Sequence, residues 1–157
     1  MAGTDLRAQL NNFIKAMHDQ GILDEHFEHV KGLQNEYNPY FVLEIVSIFC
    51  RDAENVIAEV TKFLDEPVVD YVKTIGLVHQ LRGGSSSLGG SRMAIACREL
   101  RQATQDNKKE ECLQALEKVK REFSTLHEKL NVISQMERTI LTNEGSMVQC
   151  IPSGSIY

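Results

Sequence analysis

Only three prolines interrupt this chain, Pro39, Pro67 and Pro152, and the apolar residues between them recur with the period of an α-helix. That combination leaves little room for anything but long helices joined near the prolines. Leu6, Leu10, Phe13, Ile14 and Met17 form a first stripe, with Thr4 as its N-cap candidate and Gly21 as its C-cap. A short second helix is expected from Asp24 to about Leu33, with Phe27, Val30 and Leu33 on its apolar side. Asn38 is expected to cap a third helix that starts at Pro39 and reaches Asp65, about 27 residues or roughly 40 Å.

The first half of that third helix, Tyr40 to Cys50, is apolar nearly all round, so the two N-terminal helices are expected to cover it. A fourth helix begins near Asp70. A fifth is capped by Ser91 and carries Met93, Ala96, Cys97, Leu100 and Ala103. The sixth starts near Lys108 and keeps Leu116, Val119, Phe123, Leu126, Leu130, Ile133 and Ile140 on one seam, broken only by Glu137. No alternating strand pattern and no internal repeat is present. The fold class expected is all-α: six helices, an antiparallel four-helix bundle with the two N-terminal helices packed on one end. From Thr142 to Tyr157 the periodicity fails, so the domain is expected to span residues 1–141 and a flexible tail residues 142–157.

Composition excludes several functions. The chain has 157 residues, the length of one domain, and carries 17 Lys+Arg against 22 Asp+Glu, a net charge of −5. An acidic chain lacks the basic field that nucleic-acid binding needs, so no nucleic-acid partner is expected. No stretch approaches ~18 uninterrupted apolar residues, so no membrane span is expected either. Cys50, Cys97, Cys112 and Cys150 are scattered without a CxxC pair, which indicates neither a zinc site nor a disulfide framework. Free thiols suit a reducing compartment, and the N-terminus lacks a signal peptide, so a cytoplasmic protein is expected.

The segment from Ile75 to Ser91 breaks the pattern by composition, holding five of the ten glycines and four serines. Each interior glycine costs a helix roughly 1 kcal/mol relative to alanine, so propensity alone predicts a loop. The helical stripe nevertheless persists through Thr74, Leu77, Val78, Leu81, Ser85 and Leu88. On that stripe His79 points about 150° away from the core direction. It is flanked one turn away by Gly76, Arg82 and Gly83, with Ile75 and Ser86 nearby on the same face. An exposed imidazole on a surface shorn of side chains is open to close approach by another protein.

Imidazole is largely uncharged at pH 7 and is then a competent nucleophile. Attack on an acyl phosphate gives a phosphoramidate, a transfer that needs positioning and charge neutralisation. Arg82 is placed to neutralise the phosphoryl charge, Gly83 to leave clearance, and Gln80, Ser86 or Ser87 to orient the ring or hydrogen-bond the phosphate. Composition alone leaves open that His79 is an ordinary surface histidine beside a Gly/Ser turn.

The run His79-Gln80-Leu81-Arg82-Gly83-Gly84-Ser85-Ser86-Ser87-Leu88-Gly89 resembles the His-Gln-Leu-Lys-Gly-Ser-Ser-x-Ser-Ile-Gly signature of plant histidine-containing phosphotransfer (HPt) proteins of cytokinin-type two-component signalling. Asn38 to Glu44, Ala96-Cys97-Arg98, and Cys112 through Glu122 resemble further parts of the same family, so the similarity covers roughly residues 1–140. Arg82 stands where the family has lysine, and Gly84 where it has serine. The resemblance implies that His79 accepts the phosphoryl group, that hybrid histidine kinases donate it, and that response-regulator receiver domains take it. Because 157 residues leave no room for an ATP-binding kinase domain beside a six-helix bundle, a phosphocarrier without kinase activity is expected, a monomer found in cytoplasm and nucleus. Receivers are expected to dock on the His79 face and the junction of the second and third helices, anchored by an apolar patch of Leu23, Phe27 and Ile75.

No cofactor is expected, the Mg²⁺ for transfer being supplied by the receiver. His26 and His29 lie at i, i+3 among acids, but neither has the Glu three residues before it that a di-iron bundle requires, so no metal site is expected. His18 and His127 lie in polar stretches and are expected to face solvent. The glycine run lacks Gly-Lys-Ser/Thr and a preceding strand, which argues against a nucleotide site. The alternative function is a non-catalytic helical adaptor. It differs from a phosphocarrier in tolerating His79→Gln.

Overall fold

Pro39 and Pro67 both fall between helices in the computed structural model of the chain, which describes residues 2–148. The helices are α1 (Ala2–Asp19), α2 (Glu25–Gly32), α3 (Phe41–Leu64), α4 (Tyr71–Leu88), α5 (Ser91–Gln105) and α6 (Lys109–Val148). No strand occurs among the described residues. Consecutive members of α3, α4, α5 and α6 pack on one another, and α6 returns to α3, which closes a four-helix bundle.

At 40 residues α6 outruns the 24 of α3, the 18 of α4 and the 15 of α5, and α1 packs along it. An Arg7–Glu144 ion pair ties the first turns of α1 to the far end of α6. The core runs through all six helices, from Leu10 and Met17 through Val42, Val60, Val78 and Leu100 to Leu126, Leu130 and Ile133. Glu137, the one break in the α6 stripe, is buried and accepts hydrogen bonds from Lys31 Nζ at 3.5 Å and Gln34 Nε2 at 3.4 Å. A buried carboxylate is tolerated because both partners come with it.

Several boundaries differ from those read in the sequence. Helix α1 extends past Thr4 to Ala2, and α5 has Gly90 in the cap position, with Ser91 as its first helical residue. Helix α3 starts at Phe41 rather than Pro39, because the Asn38 side chain is committed to the preceding turn, where Nδ2 donates to the Leu33 carbonyl at 3.1 Å. Its first turn is served instead by Gln34, whose Oε1 accepts from the Val42 N–H at 2.9 Å. Helix α6 continues through Thr142 to Val148, where a tail was expected, and residues 149–157 of that expected tail lie outside the described residues.

The largest correction concerns α2. Asp24, expected as its first residue, is instead its N-cap, accepting from the His26 N–H at 2.9 Å, and the Asp24 N–H itself donates to the Gly89 carbonyl at 2.8 Å. That bond seats α2 on the turn between α4 and α5. Leu23 and Phe27 are thereby pressed into the core, 1% and 0% exposed, and form no surface patch. Helix α1 likewise packs on α6 and not across the start of α3, so one side of α3 stays uncovered, with Ile48 46% exposed.

Candidate functional site

Helix α4 opens at Asp70, whose carboxylate accepts from the Lys73 N–H at 3.1 Å. It then stays helical through the entire glycine–serine run. Two buried hydroxyls explain how: Thr74 Oγ1 donates to the Asp70 carbonyl and Ser85 Oγ to the Leu81 carbonyl, each at 2.8 Å, so polar residues sit in the core stripe with their donors satisfied. Val78, Leu81 and Leu88 complete that stripe. The helix ends where Gly89 takes the left-handed conformation, φ 91°, and its N–H reaches the carbonyls of Ser85 and Ser86.

His79 emerges on the opposite side and is exposed. It makes no hydrogen bond or ion pair with any described residue. At the positions where Gly76 and Gly83 lack a side chain, no heavy atom beyond the chain neighbours and the helix's own backbone lies within 4 Å. The ring therefore stands on a surface open on both sides along the helix. Gln80, Ser86 and Ser87 are exposed on the same helix, Ile75 is half-buried, and Arg82 is half-buried with its Nε out of contact with solvent. Gln80 makes no hydrogen bond to the ring.

Beside His79 lies a groove of about 340 Å³ between α2, α3 and α4. Val30, Phe41, Ile45 and Ile48 form its apolar wall, and Gln80, Gly84 and Ser87 form the α4 side. A side chain at Gly84 would begin 3.8 Å from the Phe49 ring, so the glycine deepens the floor without being sterically required. Gln80 and Ser87 were candidates from the sequence, whereas Val30, Phe41, Ile45 and Ile48 are groove residues that the sequence reading missed. The signal was the apolar excess of Tyr40 to Cys50, which was assigned to helix packing.

Three of the four remaining histidines are engaged elsewhere, and the fourth, His29, is exposed with no hydrogen bond or ion pair to a described residue. His18 Nδ1 lies 2.8 Å from Glu28 Oε1, His26 Nδ1 lies 3.0 Å from Asp24 Oδ1, and His127 stacks on Phe123 with ring centroids 5.3 Å apart. Among the described residues no group of three metal-ligating side chains converges. Burial pushes the Cys50 thiol up to about 11 and the Cys97 thiol to about 12, so both are neutral and unreactive near pH 7.

Comparison with known proteins agrees with this geometry. Residues 44–131 match the Hpt domain, a stretch that includes His79 and all of α4 and α5. Histidine-containing phosphotransfer protein 2 of Oryza sativa is 39% identical over 141 residues, covering 89% of this chain and 95% of that protein. The chain belongs to the histidine-containing phosphotransfer family. Histidine-containing phosphotransfer protein 1 of Arabidopsis thaliana is 33% identical over 145 residues, covering 92% of this chain and 94% of that protein. The crystal structure of an HPt protein from maize superposes with a TM-score of 0.81 at 39% identity, covering 86% of this chain and 99% of that one. The Medicago truncatula protein MtHPt2 gives 0.80 at 28% identity, covering 88% and 94%. The six-helix all-α architecture is thus that of HPt proteins, and the family is one of phosphocarriers.

Proposed function

We propose that this protein is a phosphorelay intermediate that takes a phosphoryl group onto His79 from the phospho-aspartate of a hybrid histidine kinase's receiver domain. It then delivers the group to an aspartate of response-regulator receiver domains. The observation that carries the reading is the exposed, unpartnered His79 between two glycines whose side-chain space is empty. Nε2, the ring nitrogen farther from the backbone, attacks phosphorus with its lone pair. The P–O bond to the aspartate breaks, and the carboxylate leaves with the electron pair. Nδ1 keeps its proton, so the ring's positive charge is balanced by the phosphoryl group it holds. Reversal of the same step returns the group to a second aspartate.

The groove of Val30, Phe41, Ile45 and Ile48 replaces Leu23 and Phe27 as the anchoring surface for the receiver. Ile75 flanks His79 on its other side. The Mg²⁺ that transfer requires is supplied by the receiver's carboxylates. The protein acts as a monomer in cytoplasm and nucleus, in cytokinin-type signalling, and does not phosphorylate itself. Incubation with a phosphorylated receiver and Mg²⁺ tests the reading: acid-labile, base-stable phosphate on the parent and none on His79→Gln supports it. An adaptor would bind the receiver equally well with either side chain and carry no phosphate.

A further inference from the structure

Four hydroxyl side chains are buried among the described residues, those of Thr74, Ser85, Thr104 and Ser134. Three of them turn back on their own helix, donating to the carbonyls of Asp70, Leu81 and Leu100 at 2.8, 2.8 and 2.7 Å. Ser134, 5% exposed, makes no hydrogen bond with any described residue. A buried hydroxyl without a partner is costly, so the partner it takes comes from the space it lines. That space is a pocket of about 280 Å³ between α3 and α6, separate from the groove beside His79.

The lining is built by helix register. His127 Nε2 lies 4.0 Å from Glu54 Oε1, which sets α6 against α3. Because the two helices run antiparallel, steps of four and seven residues in opposite directions from this pair bring Asn131 level with Cys50 and Ser134 level with Ser47. Arg51 then stands about 6 Å along the seam on one side of the Ser47–Ser134 level, and Arg138 about 6 Å on the other. All of these residues line the pocket, with Leu43 and Val46 as its apolar part. Ser47, Asn131 and Arg138 are exposed and make no hydrogen bond or ion pair with a described residue. Arg51 has Asp52 at 3.8 Å, but Asp52 lines the His79 groove and not this pocket. Glu54, the acid of the lining, stands about 10 Å along α3 from Ser47 and faces His127. Unpartnered donors and two cations thus converge around a buried hydroxyl.

We infer that this α3–α6 pocket binds a small organic oxyanion, a carboxylate or a phosphate monoester. The hydroxyls of Ser47 and Ser134 and the Asn131 amide donate to its oxygens, while the guanidinium groups of Arg51 and Arg138 supply charge from either side in the forked geometry that suits both anions. A volume of about 280 Å³ exceeds what a bare phosphate ion fills and lies at the lower end of the range for small-molecule sites. Room therefore remains for a few carbon atoms toward Glu54 and His127, where the carboxylate accepts from a ligand hydroxyl. The site shares no lining residue with the groove beside His79, since α3 turns Ile45, Ile48 and Asp52 to the groove and Ser47, Cys50 and Arg51 to the pocket. The inference is accordingly independent of the phosphotransfer reading.

Nitrogen–proton NMR of the whole protein, titrated separately with glycerol 3-phosphate and with malate at constant ionic strength, tests the pocket. The backbone amides of Ser47 and Ser134, the Asn131 side-chain amide and the Arg138 Nε–H are expected to shift together and saturably. The same shifts are expected in His79→Gln, which separates this site from any anion held beside the histidine. Arg138→Gln and Ser134→Ala are each expected to weaken the binding about tenfold or more, with the helical circular dichroism unchanged, because each removes a donor to the anion. Arg121→Gln, which removes a cation of α6 outside the pocket, is expected to leave the affinity as it is. A response to glycerol 3-phosphate alone assigns the site to phosphate monoesters, a response to malate alone assigns it to carboxylates, and a response to both shows that the oxyanion itself is read. No saturable shift with either probe overturns the inference. Equal affinity in Arg138→Gln and the parent, or equal shifts at arginines all over the surface, overturns it too.

Discussion

Gly89 and Phe27 approach so closely that a side chain on the glycine would begin 2.5 Å from the Phe27 backbone nitrogen and 3.1 Å from the Phe27 Cβ. This contact locks α2 onto the end of α4, buries Phe27 completely and sets Val30 into the groove wall beside the His79 helix. Gly89 also has φ +91°, a conformation L side chains rarely adopt. Gly89→Ala therefore combines left-handed strain with a backbone clash and should destabilise the protein by about 2 kcal/mol or more, a fall of several degrees in Tm. Thermal unfolding followed by circular dichroism measures it. Retention of the parent Tm would show that the α2–α4 junction yields more readily than the packing indicates.

Gly83 tests the opposite case, a glycine whose space is empty. Because nothing lies within 4 Å of its missing side chain, Gly83→Leu fits the isolated protein and should raise helix stability by up to about 1 kcal/mol. The same side chain stands one turn from His79 in the path of an approaching receiver, so transfer should slow sharply. Unchanged transfer together with a raised Tm would remove the clearance argument.

Ile48 separates docking from stability. It is 46% exposed and lines the groove, so Ile48→Glu should alter folding by no more than about 0.5 kcal/mol. Receiver affinity, measured by calorimetry, should fall at least tenfold, about 1.4 kcal/mol. Phe27→Ala gives the contrast: it empties a core site and should destabilise the fold by roughly 3–5 kcal/mol. An Ile48→Glu protein that binds the receiver normally would place docking elsewhere.

The sequence made most of the helical plan legible, since the apolar stripes and prolines put both ends of α3 and the starts of α4 and α5 within about two residues of where they lie. His79 was legible too, because the Thr74, Val78, Leu81, Ser85 stripe defines its outward direction with no tertiary information. What escaped depends on contacts between distant segments. The burial of Leu23 and Phe27 follows from one hydrogen bond between Asp24 and Gly89, 65 positions apart in the chain. The start of α3 is set by Gln34 reaching back to Val42, and the α6 helix persists where its apolar stripe has ended.

Cys97 gives a prediction in pH. Burial raises its thiol from the ordinary 9.0 to about 12 in the folded protein. Above pH 9 the unfolded chain therefore loses this proton while the folded one retains it. The contribution of the neutral thiol is full below pH 9 and declines as pH rises from there toward 12. Tm should consequently fall more steeply between pH 9 and 10.5 in the parent than in Cys97→Ala, about 9 being where the free thiol begins to titrate. Parallel slopes in the two proteins would mean that the folded thiol ionises as easily as the unfolded one.

The central claim is that His79 carries the phosphoryl group, and phosphorus NMR of the intact protein after exposure to a phosphorylated receiver and Mg²⁺ tests it most directly. A single phosphohistidine resonance, assigned to the Nε2 position and absent from His79→Gln, is the predicted result. A signal that survives His79→Gln, one that maps to His18, His26, His29 or His127, or no phosphohistidine at all would contradict it.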